Sequence, residues 1–297
     1  MGAIYSVIEG DFGRVEVREI SSNLVAHVHD QMQFVFWLGG GEAFSRVRDS
    51  VECISQDAAI GTNPFQSHDL FLQPNHAPAI LLFLYIHVDW LDGLPHLRGQ
   101  GVNLSQAKIN LTTEIRSATW TLMQRITATK TVNLQVVTDE VVQLVRLTTD
   151  AAAMQMYPAV WSSRRKLIDY RLRQTLGYMQ ENLVQPSLIN PIAKKVGISR
   201  SRLYELFHDE LDTTPKLVWS SMHLKAAIHY MMTTRDDLAT IATQLGFSSA
   251  GNFSRFFRSI TGLSPLAYRR KNTIPYATLK RVALPDIVPR DQRQAAR

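Results

Sequence analysis

The apolar positions of the chain follow two different periods, and the change falls near residue 100. Up to about residue 98, short apolar segments that include strongly β-forming residues are separated by turn signals such as Ser-Ser-Asn, Gly-Gly-Gly and Gly-Thr-Asn-Pro. Turns at this spacing are typical of a small antiparallel barrel or sandwich. We predict strands at VRE, VAHVH, QFVFWL, FSRVR, VECIS, DLFLQ and ILLFLYIHV.

Beyond this region the apolar residues recur at helical spacing. The pattern predicts one amphipathic helix from about Thr112 to Thr129 and a second from Leu134 to Ala153. We expect this pair to cover an open face of the β domain, and one of its helices to pair also with a second subunit in a homodimer. A short polar segment containing Pro158 predicts a linker over 157–163, after which the helical pattern continues to about Arg270.

The later part of the chain contains the same octapeptide twice. The segment IAKKVGIS (192–199) returns as IATQLGFS (241–248), 49 residues later. In each copy a short apolar stripe ends at a glycine, and a serine then precedes a second amphipathic stretch, which is the pattern of a helix-turn-helix unit. We predict Asn190, Asp236 or Asp237, Ser199 and Ser248 as helix caps. One extra residue follows Ser248, so that the offset is 50 from Phe253 onwards.

A single long helix is predicted between the two copies, from Thr214 to Thr233. Twenty helical residues span about 30 Å. Successive major grooves on one face of B-DNA lie about 34 Å apart. One rigid helix of this length can therefore hold two recognition helices in neighbouring turns of the groove.

The net charge of the chain changes sign at the predicted linker, near residue 161. Residues 1–161 hold 10 Lys and Arg against 16 Asp and Glu, whereas residues 162–297 hold 22 against 10. The net charges are therefore −6 and +12, and the second value indicates a module that meets a polyanion. A solvated basic surface would give the same count, so charge alone does not decide between them.

Composition narrows the class of protein. The single cysteine, Cys53, excludes an intramolecular disulfide and a cysteine-based zinc finger, and it fits a reducing cytoplasm. The first residues lack the pattern of a signal peptide, and the most apolar stretch, Ala79–Val88, is about half as long as a membrane helix. We therefore expect a cytoplasmic protein without membrane association.

The second copy of the motif carries a specific resemblance. The run GFSSAGNFSRFFRSITGLSPLAYRR (246–270), preceded by the divergent first copy, resembles the AraC/XylS family of transcription regulators over about Lys166–Lys271. The resemblance implies a non-enzymatic regulator, usually an activator, with promoter DNA, RNA polymerase and a small-molecule effector as its partners. The expected fold is α+β: a cupin-like antiparallel β-barrel with flanking helices (1–160), an all-α domain of two helix-turn-helix units joined by a long helix (164–271), and a basic, loosely ordered tail (272–297).

Residues of both recognition helices are assigned to DNA through this resemblance. Arg255 can form two hydrogen bonds with guanine O6 and N7, and Asn252 can do the same with adenine N6 and N7. Two positions depart from the expected pattern, because Gly251 has no side chain and Glu205 is acidic. The predicted base contacts are Ser201, Tyr204, Glu205, Ala250, Gly251, Asn252, Ser254 and Arg255, and the predicted phosphate contacts are Lys194, Lys195, Arg200, Arg202 and Arg258.

The amino-terminal domain contains a candidate effector pocket. The segment HVHDQMQ with Gly40, followed by DLFLQPNH, resembles the two halves of the cupin pattern, and an H-x-H on a strand points both imidazoles to one face. Gln33 stands where metal-binding cupins usually supply a carboxylate, so we expect neither a metal nor another cofactor. Ligand contact, core packing and metal binding remain alternative roles for the histidines. The predicted pocket residues are His27, His29, Gln33, Trp37, His76 and Tyr85.

Three function classes follow from these patterns. The leading hypothesis is a DNA-binding regulator whose β domain senses a small molecule. The alternative is a metal-dependent cupin enzyme with an attached DNA-binding domain. An alkyl-transfer repair protein would need an activated cysteine, and Cys53 has no neighbouring cation in sequence to lower its pKa.

Overall fold

The computed structural model describes residues 3–74, 77–97, 103–128, 132–154, 169–184 and 189–271. These residues form two compact units. Those up to Met154 together with Phe256–Lys271 make up the first unit, and those between Asp169 and Arg255 make up the second. The predicted linker (157–163) and the predicted tail (272–297) lie outside the described residues, and the domain boundaries stay predictions.

The strands of the first unit form two antiparallel sheets. The larger sheet has the order β1-β2-β9-β4-β7-β10 and the smaller sheet the order β3-β8-β5-β6. The described strands are β1 Ile4–Gly10, β2 Gly13–Ile20, β3 Leu24–His27, β4 Met32–Gly40, β5 Ala43–Val47, β6 Ser50–Ile54, β7 Ala58–Thr62, β8 His68–Leu72, β9 Ala79–Ile86 and β10 Lys108–Asn110.

The antiparallel β domain is confirmed, but the two sheets do not close into one hydrogen-bonded barrel among the described residues. The seven strand predictions coincide with β2, β3, β4, β5, β6, β8 and β9, whereas β1, β7 and β10 were missed. The short β7, AAIGT, has small side chains and does not alternate between apolar and polar residues. All five of its residues are buried, so no polar face marks it as a strand.

Strand β9 explains how one apolar run serves two cores. Its residues Leu82, Leu84 and Ile86 belong to the cluster that includes the apolar faces of two helices, while Leu81, Phe83 and Tyr85 belong to the cluster between the sheets. Because successive side chains of a strand point to opposite faces, a strand covered on both sides must be apolar throughout. Each large side chain buried in this way contributes about 1.5–3 kcal/mol.

The two predicted helices after the sheets are confirmed within one or two residues at each end. They are α2 (Thr113–Ala128) and α3 (Leu134–Met154), and a short α1 (Val88–Asp92) precedes them. Ile115 and Leu122 of α2 and Val141 and Leu144 of α3 are buried in the same cluster as β9. The pair therefore covers one face of the larger sheet, as the amphipathic pattern predicts.

The first unit also contains a buried polar group around β2. Glu16 is fully buried and accepts a hydrogen bond from Arg18 at 3.1 Å. Arg18 donates also to the carbonyl of Thr261 at 2.6 Å, and Arg14 donates to the hydroxyl of Tyr268 at 2.8 Å. Burial raises the pKa of Tyr268, which is thereby kept in its protonated form. Within this unit, α10 (Pro265–Lys271) is thus bonded to β2 through Arg14 and Tyr268, and the end of α9 (Ala250–Thr261) through Arg18 and Thr261.

The second unit is helical. It contains α4 (Tyr170–Glu181), α5 (Ile189–Lys195), α6 (Arg200–Leu211), α7 (Pro215–Thr233) and α8 (Leu238–Gln244), and α9 (Ala250–Thr261) begins in it. The long helix between the two motif copies is confirmed as α7, and Thr214 caps it by accepting from Leu217 N at 3.3 Å. In the described part of the chain, no helix is both long enough and apolar enough to span a membrane.

Candidate DNA-binding interface and histidine cluster

Both copies of the octapeptide end their first helix with the same turn. Gly197 and Gly246 adopt left-handed backbone angles, with φ of 71° and 73°. In the first copy Gly197 N donates to Lys194 O and Ile198 N donates to Ala193 O, and the second copy repeats these two bonds one for one. This pair of hydrogen bonds is a Schellman motif, whose left-handed position favours a residue without a Cβ. The repeated Gly is therefore explained by one local geometry.

The serine caps correct one prediction. Ser199 caps α6 as expected, because its hydroxyl accepts from Arg202 N at 3.1 Å. In the second copy Ser249 takes this role, accepting from Asn252 N at 3.1 Å, and not Ser248. Asp237 caps α8 as predicted. Asn190 does not cap its helix, since α5 already begins at Ile189.

The position of Ser249 sets the register of the two recognition helices. Because Ser199 and Ser249 are equivalent caps, the helices α6 and α9 align with an offset of 50, and the extra residue of the second copy lies in the turn. Arg202 then corresponds to Asn252, and Glu205 corresponds to Arg255. Arg202, which was predicted to contact phosphate, therefore occupies the same helical position as the predicted base contact Asn252.

The exposed face of α6 carries a charged pair at these positions. Arg202 Nη1 lies 3.0 Å from Glu205 Oε2, and more than half of each side chain is exposed. The guanidinium of Arg200 stands over the ring of Tyr204 at 5.6 Å. Leu203, on the opposite side of the helix, is fully buried. Glu205 therefore holds Arg202 in place on a surface that faces away from the core.

The exposed face of α9 carries a hydrogen-bonded chain at the equivalent positions. The amide of Asn252 donates to the Ser248 hydroxyl at 2.5 Å, and its carbonyl oxygen accepts from Arg255. Arg255 is exposed, whereas Phe253 is fully buried. Ser248 and Asn252 thus fix the direction in which the Arg255 guanidinium leaves the helix.

The remaining predicted contacts divide by exposure. Gly251 is exposed, and a Cβ added there would meet only Ser249 Oγ at 3.7 Å, so nothing inside the protein requires this glycine. Lys195 lies 4.0 Å from the ring of Tyr178 through its ammonium group. The exposed members of the predicted set include Lys194, Lys195, Arg200, Ser201 and Arg258, while Ala250 and Ser254 are half-buried.

Three histidines of the first unit form a cluster in which His27 and His68 are buried and His29 is half-buried. His27 in β3 pairs directly with His68 in β8, and their ring centroids are 4.4 Å apart. His29 lies 4.8 Å from His68 and 6.2 Å from His27 by the same measure. The Tyr85 ring is 5.4 Å from that of His29, and Gln33 is the cross-strand neighbour of Tyr85.

The backbone fixes the tautomer of each ring. The Nδ1 atoms of His27, His29 and His68 lie 2.9, 2.8 and 2.8 Å from the carbonyls of Val25, Gln31 and Gln66. A carbonyl can only accept, so each Nδ1 carries the proton. Burial lowers the pKa of all three rings, that of His27 to about 4, and they are neutral near pH 7. Each Nε2 is consequently a lone-pair donor.

The cluster differs from the predicted pocket in three residues. His68 was not predicted, although a histidine that opens a strand opposite the H-x-H segment was available as a signal. His76 lies outside the described residues. Trp37 packs beside the core between the sheets, and its indole donates to the carbonyl of Gly41 at 3.1 Å. His27, His29, Gln33 and Tyr85 are brought together as expected.

Comparisons with known proteins match the carboxy-terminal part of the chain most specifically. A helix-turn-helix domain family model matches residues 192–271. The chain is similar to the raffinose operon transcriptional regulatory protein RafR of Pediococcus pentosaceus, with 26% identity over 117 residues, which is 39% of this chain and 42% of that protein. It is 30% identical over 112 residues to the arabinose operon regulatory protein of Escherichia coli K12, covering 37% and 38% of the two chains. The match thus spans less than half of these relatives.

Similarity of fold extends further along the chain. The structure of unsaturated-fatty-acid-bound ToxT from Vibrio cholerae superimposes with a TM-score of 0.54 and 15% identity, covering 90% of this chain and 96% of that one. At this identity the likeness concerns the fold alone, an antiparallel β domain followed by a helical domain. Together with the repeated turns, caps and buried faces, the sequence matches show that the carboxy-terminal part of this chain carries an AraC-type helix-turn-helix domain, similar to those of these operon regulators.

Proposed function

We propose that the protein binds double-stranded promoter DNA in a sequence-specific manner and regulates transcription. The observation that carries the proposal is the matched pair of motif copies. Each has the same Schellman turn and the same serine cap, and each exposes a polar pair three residues apart on the face opposite its core. The connecting helix α7 has 19 residues, or about 28 Å, close to the spacing of neighbouring major grooves.

The proposed readout differs between the two units. In the second helix-turn-helix unit Arg255 reads guanine. Asn252 orients the Arg255 side chain and lies beside it on the DNA-facing surface of the helix. Gly251, which has no role inside the protein, leaves room for close approach of a base or the sugar-phosphate backbone. In the first helix-turn-helix unit Arg202, held by Glu205, occupies the position that Asn252 has in the second. Ser201, Tyr204, Ala250 and Ser254 flank these residues, and Lys194, Lys195, Arg200 and Arg258 contact phosphates.

We propose further that the β domain senses a small-molecule effector. Its two sheets serve as a cupin-like sensor, and the buried polar interior around His27, His29, Gln33 and Tyr85 is the effector site. The Arg14 guanidinium lies 4.4 Å over the Tyr85 ring and donates to Tyr268, which supports a mechanical link from this interior to α10. ToxT, whose fold is similar, has been solved with a bound fatty acid. Dimerisation and activation through RNA polymerase complete the proposal.

The phosphate contacts give the first test. We expect the affinity for duplex DNA to fall steeply as salt rises, with a slope proportional to the number of neutralised phosphates. Replacing Lys194 by Gln should lower affinity for every sequence by a similar factor and reduce the log–log salt slope by about 1. The measurement is fluorescence anisotropy on labelled duplexes at several salt concentrations.

Lys108 provides the matched control for this experiment. It is an exposed lysine on β10 of the first unit and belongs to neither motif copy, so Lys108→Gln removes the same charge without altering a helix-turn-helix unit. We expect this variant to keep the wild-type slope. A salt-independent affinity of the wild type, or equal slopes for wild type and Lys194→Gln, would contradict the proposed interface.

A further inference from the structure

The carboxyl end of the second recognition helix is bound to the β domain by a buried arginine. Arg18 of β2 donates from Nη2 to the carbonyl oxygen of Thr261, the last residue of α9, at 2.6 Å. Its Nη1 donates to Glu16 at 3.1 Å, and its guanidinium stands over the Phe83 ring at 4.9 Å. Arg18 is 5% exposed and Glu16 is fully buried. A charged side chain of β2 thus caps a helix end that lies 243 residues further along the chain.

The segment that follows α9 also lies against the β domain. A Cβ added at Gly262 would stand 3.0 Å from Leu24 Cδ2 and 3.7 Å from Arg18 Nη2. Beyond this turn, Arg14 donates from Nη1 to the hydroxyl of Tyr268 on α10 at 2.8 Å. The end of α9 and the helix after it are therefore anchored to β2 at two separate points.

The chemistry of this anchor suits a helix end. The last carbonyl groups of a helix have no partner within the helix and carry partial negative charge, so they attract a cation. Glu16 serves both arginines, since its second carboxylate oxygen is 3.7 Å from Arg14 Nε. One carboxylate cannot satisfy the donors of two guanidinium groups, and α9 and α10 each supply a further acceptor. A buried ion pair stabilises a fold little more than apolar side chains of the same size, but its hydrogen bonds are directional. The anchor therefore specifies an orientation.

The anchored helix also carries the residues assigned to base readout. Helix α9 is continuous from Ala250 to Thr261, and its part from Phe256 onwards belongs to the compact unit of the β domain. Arg255 precedes Thr261 by six residues, or about 9 Å along the helix axis. A tilt of about 10° around the anchored end would move Arg255 by about 1.6 Å, more than the range of distances that a hydrogen bond tolerates. The position of the Arg255 guanidinium consequently depends on how the helix end is held.

We propose that Arg18 is a positioning residue for DNA readout, and that together with Arg14 and Tyr268 it sets the orientation of α9 from the β domain. The inference rests on the proposed function of α9 as a recognition helix, and it assigns the connection between the sensor and the DNA reader to β2. Arg255 and Arg258 are exposed while the anchor is formed, so the anchored state is the one that reads DNA. An effector changes the readout when it binds the anchored and the released state with different affinity.

The first measurement is hydrogen–deuterium exchange of the full chain without DNA. Arg18→Met keeps a long side chain and removes the guanidinium. We expect amide exchange in 257–271 to become at least about tenfold faster, because a charge-assisted hydrogen bond is lost, while exchange in α6 stays unchanged. Tyr268→Phe removes a single hydroxyl and should give a smaller change in the same segment. It keeps the comparison available should Arg18→Met fail to fold, as judged by circular dichroism.

The second measurement is DNA affinity by fluorescence anisotropy. It uses a duplex that the wild-type protein has enriched from a random pool and a shuffled duplex of the same composition. Arg18→Met should weaken binding to the enriched duplex by about 5-fold or more and leave binding to the shuffled duplex unchanged. Because coupling between two sites is reciprocal, the enriched duplex should slow amide exchange in β2 of the wild type, and this protection should be absent in Arg18→Met. A purely structural role of Arg18 would not produce protection that depends on DNA.

Arg116→Met is the matched control. Arg116 belongs to the same compact unit and also binds a carboxylate and a backbone carbonyl, but these partners are Asp57 and Leu111. We expect its exchange in 257–271 and its DNA affinity to match those of the wild type.

Unchanged exchange in 257–271 of the folded variants would overturn the anchor. Faster exchange with unchanged affinity for the enriched duplex would overturn its role in readout. A wild type that binds no duplex specifically would count against the proposed DNA-binding function, whereas the exchange data would still decide whether β2 holds α9.

Discussion

Replacing Gly246 by Ala should strongly destabilise the second helix-turn-helix unit, whereas the same change at Gly197 should cost less stability. Both glycines adopt the same left-handed conformation, which costs a non-glycine residue about 1–2 kcal/mol. They differ in their surroundings. A Cβ at Gly246 would lie 2.0 Å from the carbonyl oxygen of Val184, while a Cβ at Gly197 would meet nothing within 4 Å. Since Val184 O belongs to the backbone, the clash cannot be relieved by a side-chain rotation.

We therefore expect Gly246→Ala to lower the free energy of unfolding by at least about 3 kcal/mol, and Gly197→Ala by about 1–2 kcal/mol. Urea titration followed by circular dichroism measures the difference, and the equivalent position in the first copy serves as the internal control. Specific DNA binding should be lost in Gly246→Ala at temperatures where Gly197→Ala still binds. Equal destabilisation by the two changes would show that the turn, and not its contact with Val184, sets the cost.

Replacing Arg255 by Ala should reduce affinity for the cognate site by about 1–3 kcal/mol, or roughly 5- to 150-fold, and relax the preference at one base pair. The reason is the loss of a bidentate contact to guanine. Arg258 is the matched control, because it is an exposed arginine one turn further along α9 and is assigned to phosphate. Arg258→Ala should weaken binding to all sequences alike. Competition with duplexes that carry single base changes distinguishes the two effects.

The hydrogen bond between Asn252 and Arg255 adds a second expectation to this experiment. If Asn252 acts mainly by orienting Arg255, the two alanine substitutions should not be additive, and the double-mutant cycle should give a coupling of at least about 0.5 kcal/mol. Strict additivity would mean that Asn252 contacts its own base, as the residue type alone suggested. A loss that is the same for all duplexes in Arg255→Ala would exclude base readout by this residue.

Much of the helical part could be predicted because its signals are local. The capping residues Ser199, Thr214 and Asp237 and the turn glycines Gly197 and Gly246 each act within five residues of sequence. Local signals did not identify every cap, because Ser249 caps α9 where Ser248 was predicted. Two adjacent serines have the same chemistry, and the sequence alone does not tell which of them stands at the helix start.

Contacts between distant segments could not be predicted from the sequence. His68 faces His27 because β3 and β8 are paired. The two residues are 41 positions apart in the sequence, and no local signal fixes the register of this pair of strands. Strand β7 has no amphipathic pattern, since it is covered on both faces. The sequence offset already made Glu205 equivalent to Arg255, whereas Arg202 became equivalent to Asn252 only when the caps fixed the alignment of the helices. The chemistry of the site therefore came from the sequence in part, and its geometry from long-range packing.

The central claim is that two helix-turn-helix units of one chain read DNA together, and selection from a random duplex pool tests it most directly. The purified full chain is incubated with the pool, and the bound duplexes are sequenced over several rounds. We expect an enriched sequence with two short conserved boxes whose centres lie about 10–10.5 base pairs apart, one helical turn of DNA. Arg255→Ala should lose the preference at one position within one box only. An enriched sequence with a single box, or no enrichment at low salt, would contradict the account.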